Sequence, residues 1–131
     1  ILSFELTQAQ INSIKAEDTG MIVYGYLPLM LTRNCPIKND IGCFECNKHG
    51  KLTDRKGMEF PVICSDFPCV EMLNCYPLYM FDRIKEVKTD FVHFYFSIES
   101  QKQVENVISL YERGAKPDFK YTRGLYQRGT L

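Results

Sequence analysis

The chain has 131 residues, in which sixteen Lys and Arg are matched by sixteen Asp and Glu. A balanced chain has no global field for drawing in nucleic acid or an anionic membrane surface, and no segment is apolar enough to span a bilayer. At this length a core forms without covalent staples. No Asn-x-Ser/Thr acceptor and no signal segment appear, so a reduced, cytoplasmic setting is expected, with thiols free or metal-bound rather than bridged. The sequence opens at Ile1 without an initiator methionine and reads as a piece of something longer. The expected organisation is a single domain or fragment over residues 1–131, with a cysteine-rich loop and hairpin over 33–75 and a basic-aromatic tail over 115–131.

In chain order, Thr7 and Gln10 form a capping box for a first helix, and Leu6 and Ile11 supply a hydrophobic staple across it. Ile11 and Ile14 mark its buried side, and Gly20 lies past its end. Met21 to Thr32 reads as a strand pair or one kinked strand, interrupted by Gly25 and Pro28, and the proline argues against an unbroken central strand. Residues 33–50 have no periodicity, and a loop of that length in a compact domain is usually functional or tied down. Lys51 to Ile63 reads as a hairpin turning near Lys56-Gly57. Pro77 suits the first turn of a helix, with Leu78, Phe81, Ile84 and the stem of Lys85 at helical spacing. Phe91 to Phe96 is apolar on both sides, as a strand of a covered parallel sheet would be. Ser100 and Gln103 form a second capping box. Val104, Val107, Ile108 and Tyr111 make that helix's buried stripe, and Gly114 ends it. Helices alternating with strands in this way predict an α/β fold with a parallel sheet.

The cysteines carry the chemistry. Cys35 is followed after seven residues by Cys43, after two more by Cys46, and after twenty-two more by Cys69. Thiolates grouped so hold tetrahedral zinc or an iron–sulfur cluster. Cys64 and Cys75 fall in the same stretch, so either is an alternative fourth ligand. His49 reads more simply as an exposed loop histidine, with a stand-in ligand for Cys69 as the alternative, and Asp66 is placed to orient a ligand from behind. Asp54 and Arg55 read as an ion pair in the hairpin rather than an acid–base couple. His93, inside an apolar strand, reads as a core histidine.

The tail holds Lys116, Lys120, Arg123 and Arg128 against Asp118 alone, with Tyr121 and Tyr126 interleaved. Such a pattern tracks a phosphate backbone and stacks on bases. The simpler reading, a solvated tail, is the one expected here.

Several runs resemble one family. They are Tyr24-Gly25-Tyr26-Leu27-Pro28-Leu29-Met30, Asn34-Cys35-Pro36-Ile37, Leu52-Thr53-Asp54-Arg55-Lys56-Gly57 and Leu73-Asn74-Cys75-Tyr76-Pro77-Leu78. In that order they look like the later part of the barrel domain of the collagenase-like peptidases, the thirty-second family of peptidases with unassigned catalytic type. Glu5-Leu6-Thr7 and the ending Tyr121-Thr122-Arg123-Gly124 fit too. The resemblance implies the C-terminal portion of a TIM-like (β/α) barrel with a cysteine-rich loop and a β-hairpin insertion. It implies Cys35, Cys43, Cys46 and Cys69 as ligands of a four-iron cluster or of zinc, with the loop on the functional face of the barrel. It also implies a peptidase, or alternatively iron–sulfur-dependent hydroxylation of RNA or a quinone-like substrate. Where the family tends to carry a basic and an acidic residue, this chain has His93 and Tyr95, and Leu125 replaces a histidine of the tail motif.

No Ser–His–Asp or Cys–His arrangement can be assembled from these residues, and a four-thiolate zinc site is coordinatively closed and structural. Three readings remain: a fragment of a peptidase bearing a cysteine metal site, an iron–sulfur hydroxylase part, and a non-catalytic zinc-stabilised module. The isolated piece is expected to be inactive. Its expected partners are the remainder of the barrel upstream, an RNA or protein substrate, and further copies of itself, with no membrane.

Overall fold

A computed structural model of the chain describes residues 1–40, 42, 49–66 and 69–128, apart from the side chains of residues 39, 40, 65 and 66. The helices are α1 (Gln8–Ser13), α2 (Pro36–Asp40) and α3 (Gln101–Arg113), with a 3-10 helix over Phe81–Glu86. The strands are β1 (Gly20–Gly25), β2 (Pro28–Thr32), β3 (His49–Thr53), β4 (Glu59–Asp66), β5 (Cys69–Leu73), β6 (Leu78–Tyr79) and β7 (Phe91–Tyr95). Two compact units result: Ile1–Tyr26 with Tyr76–Leu131 makes the first, and Leu27–Cys75, inserted between those two segments, makes the second.

The first unit is organised by β1, every residue of which is buried. An all-apolar strand is stable only with both faces covered, and β1 is the middle strand of a sheet ordered β6-β1-β7. It runs antiparallel to β6 and parallel to β7. At the end of that parallel pair Gly25 has φ 144°. A Cβ there would stand 2.8 Å from Tyr95 Cβ and closer still to the Tyr95 carbonyl oxygen, so only glycine fits. Both expected capping boxes are present. Thr7 Oγ1 accepts from Gln10 N while Gln10 Oε1 accepts from Thr7 N, and Ser100 and Gln103 repeat the exchange. Gly114 ends α3 in the left-handed conformation. The buried face of α3 centres on Val107 and Leu110, whereas Ile108 and Tyr111 lie at its exposed rim. Tyr111 still contributes, because its ring meets Phe81 and Phe94 edge-on at 5.2 and 5.1 Å. Tyr24 and Tyr79 continue this cluster of rings inward.

Between Thr122 and Tyr126 the tail is packed, not solvated. Tyr126 is 2% exposed and donates its hydroxyl to the Ile22 carbonyl at 2.9 Å. Thr122 exchanges backbone hydrogen bonds with Pro77 and Tyr79.

In the second unit the sheet order is β2-β5-β4-β3, antiparallel throughout. β2 is an edge strand, which accounts for Pro28 within it, and it leaves Leu29, Met30 and Leu31 exposed. The expected hairpin is β3–β4. Its turn is held by Asp54 Oδ1, which accepts from the Lys56 and Met58 amides, each at 2.8 Å. Asp54 is therefore a turn residue and not half of an ion pair with Arg55. The core of this unit gathers Ile37, Val62 and Val70.

The expectation of a TIM-like barrel fragment does not hold. The described residues form two open sheets, with one parallel pair of strands, β1/β7, where the barrel requires every neighbour parallel and every strand followed by a helix. The error lies partly at Pro77. Leu78 and Tyr79 are spent on pairing with Gly25 and Tyr24, and the next element is one short 3-10 helix. The apolar spacing there serves strand burial as well as a helix would. The stretch read as an irregular loop and hairpin insertion contributes β3, β4 and β5, which join β2 in a four-stranded antiparallel sheet. No helix among the described residues is long and apolar enough to cross a membrane.

Candidate functional site

In the second unit, Cys35 directly precedes α2, and the Lys38 amide donates to its Sγ at 3.4 Å, fixing the sulfur against the first turn. α2 can approach β3 because position 50 has no side chain. A Cβ on Gly50 would stand 2.7 Å from Ile37 Cγ1. That close approach closes a small cavity of about 10 Å³, lined by Cys35, His49 and Cys64 against an apolar wall of Ile37, Val62 and Val70. Cys35 and Cys64 are half-buried, and none of the four described cysteines is in a disulfide.

Cys64 and the wall residue Val62, two apart on β4, both line the cavity. Cys69, the first residue of β5, stands beside Asp66 in the register. Its neighbour Val70 faces the cavity, so the alternation of a strand turns Cys69 to the other face. Cys75 lies beyond β5, with its thiol 3.4 Å from Asn74 Oδ1, and does not line the cavity. Cys43, Cys46 and the Asp66 side chain lie outside the described residues. Among the described residues alone, no three His, Cys, Asp or Glu side chains group to hold a metal.

The first unit holds groups the sequence did not single out. The Glu99 carboxylate accepts from the Ser97 and Ile98 amides at 2.7 and 3.0 Å. Its other oxygen and the Ser97 hydroxyl are buried without a hydrogen-bond partner among the described residues. Burial pushes the Tyr24 hydroxyl well above its ordinary range, and the nearby Glu99 charge adds to this. Arg123, expected in a solvated tail, spans Asp82, donating to its two carboxylate oxygens at 2.5 and 2.8 Å, and also donates to the Tyr79 carbonyl at 2.7 Å. These hydrogen bonds hold the Asp82 carboxyl below the usual carboxylate range. Lys120 sits over the Tyr76 ring at 5.9 Å. His93 pairs with Ile22 in the sheet. Among the described residues neither His49 nor His93 hydrogen-bonds a Ser, Thr or Cys side chain. The one signal that could have singled out Arg123 and Asp82 is their opposite charge, which sequence separation hides.

Comparison with known protein families, curated proteins and solved structures finds no match to this chain. The structure defines a two-sheet chain whose inserted antiparallel unit brings two thiols and an imidazole to one small apolar-walled cavity.

Proposed function

We propose that Leu27–Cys75 is a cysteine-ligated zinc module, with Cys35, Cys43, Cys46 and Cys64 as its thiolates and His49 beside them. The observation that carries this reading is the sharing of one cavity by Cys35 and Cys64. Cys46 is three residues from His49, and three residues of chain reach at most about 11 Å. The donor set suits zinc, which takes thiolate and imidazole in a tetrahedral shell. A closed thiolate site supplies folding energy rather than a reaction. The module accordingly serves as a structural part of an enzyme of the collagenase-like peptidase type, whose bond-breaking groups are proposed to lie outside this insertion.

The test is metal analysis with a visible absorption spectrum on protein purified without oxygen, repeated on Cys64→Ser and Cys69→Ser. One zinc per chain, lost in the Cys64 variant and kept in the Cys69 variant, is the expected result. Retention in Cys64→Ser with loss in Cys69→Ser would transfer the fourth position to Cys69. Bound iron with visible absorption would replace zinc by a cluster, and metal-free protein would overturn the reading.

A further inference from the structure

The first unit contains a cavity of about 370 Å³, bounded by the end of α3, the start of the 3-10 helix and the tail. Small-molecule sites span roughly 300–1,000 Å³ and combine apolar walls with a few placed polar groups. Here the walls are the rings of Tyr79, Phe81 and Tyr121, with Tyr79 and Tyr121 5.3 Å apart. Tyr79 is 3% exposed, its hydroxyl committed to the Ala115 carbonyl at 2.7 Å and its ring packed on Phe81 and Tyr121, so it forms the floor of the cavity. Tyr121 is 40% exposed, and its hydroxyl accepts from Arg123 Nη2 at 3.4 Å, leaving its own proton to donate.

The charges decide what such a ring pocket takes. Arg123 and Asp82 both line it, but each is spent on the other. Lys116 also lines it, and among the described residues no hydrogen bond or ion pair engages its ammonium group. The C-terminal end of α3 lies beside it, and a helix end offsets roughly half an elementary charge. The balance at the pocket therefore stays positive. From this arrangement we infer that the cavity is a binding site for a small planar aromatic anion, its ring among Tyr79, Phe81 and Tyr121 and its anionic group on Lys116. The Tyr121 hydroxyl supplies a second donor. The site lies wholly within the first unit and is independent of the cysteines.

The probe is naphthoate, titrated into the whole chain by calorimetry and by amide chemical shifts. Uncharged naphthylmethanol and cationic naphthylmethylamine are the comparisons. A charge-assisted contact is expected to favour naphthoate over the alcohol by about tenfold, with shifts centred on Gly114, Ala115 and Tyr121. Lys116→Met should bring the two to parity without changing the unfolding midpoint. Tyr121→Ala should weaken both together. Equal binding of all three probes, tightest binding of the amine, shifts centred elsewhere, or no saturable binding of naphthoate would each overturn the assignment.

Discussion

Raising the pH above 10 should remove a stabilising interaction contributed by the tail, and Tyr126→Phe isolates it. Tyr126 is 2% exposed, and burial raises its pKa from 10.0 to about 12. A tyrosine is neutral when protonated, so the folded chain keeps this proton over a range in which the unfolded chain loses it. The contribution is complete below the unfolded value and is lost as pH climbs from about 10 to about 12. Two units at 1.36 kcal/mol each make the loss about 2.7 kcal/mol. At neutral pH the hydroxyl also satisfies the Ile22 carbonyl, and leaving that acceptor unpaired costs about 1–3 kcal/mol. Urea unfolding of both proteins in steps from about pH 8 to 11.5 reads the difference between them. The titrations of every other tyrosine and lysine, Tyr24 included, cancel in that difference. The phenylalanine variant should start less stable, and the gap should narrow by about 2 kcal/mol by pH 11.5. A difference that stays flat across the range would show that Tyr126 ionises freely and that the tail is not packed as described.

Gly25→Ala should lower stability by about 2–6 kcal/mol, from a strained backbone and overpacking against Tyr95, read as a drop in the urea midpoint. Asp54→Ala removes the acceptor for two turn amides and should cost about 1–2 kcal/mol, with amide exchange rising at Lys56 and Met58. Asp82 has a folded pKa held below its unfolded one by Arg123, so its contribution is present above the ordinary carboxylate range and fades as pH falls through the lowered value. Its side chain is half-exposed, so screening keeps the effect under about 1 kcal/mol, and Asp82→Asn should flatten the acid limb of stability by no more than that.

Local signals were legible in this sequence and long-range ones were not. The caps at Thr7 and Ser100 and the Asp54–Gly57 turn all depend on residues three apart, so pattern alone specifies them. Gly25 and Pro28 correctly mark a break between β1 and β2. Pairing is different, because Leu78 and Tyr79 bury themselves against residues more than fifty positions earlier. Nothing in their spacing distinguishes that from a helix. The α/β alternation failed for the same reason, since β4 and β5 pair with each other and with β3 and β2 rather than joining β1. The tail misled through composition: Arg123 and Tyr126 look solvated until Asp82 and the Ile22 carbonyl are brought beside them. At the cysteines, spacing nominated Cys69 with Cys64 or Cys75 as alternatives, and of these Cys64 lines a cavity with Cys35 and His49.

The proposed zinc clamp would act on a small unit. The insertion comprises forty-nine residues, closed at its base where the Asn74 amide donates to the Leu27 carbonyl at 2.8 Å. Among its described residues the buried apolar side chains are Leu27, Ile37, Val62, Val70 and Leu73. A core in a unit below about 70 residues rarely supplies more than about 3–5 kcal/mol, and such units add a staple. No disulfide serves among the described residues, because their cysteines are free. A clamp joining Cys35 to Cys64 closes a loop of about thirty residues, which by loop entropy stabilises by about 3.5 kcal/mol. That is comparable to the whole hydrophobic contribution of the unit. Chelation should therefore act on one unit and spare the other. Amide exchange in β3, β4 and β5 should accelerate on adding a zinc chelator, while β1 and α3, held by their own buried residues, keep their protection. Uniform loss of protection across both units, or none in either, would separate the cysteines from the stability of this insertion.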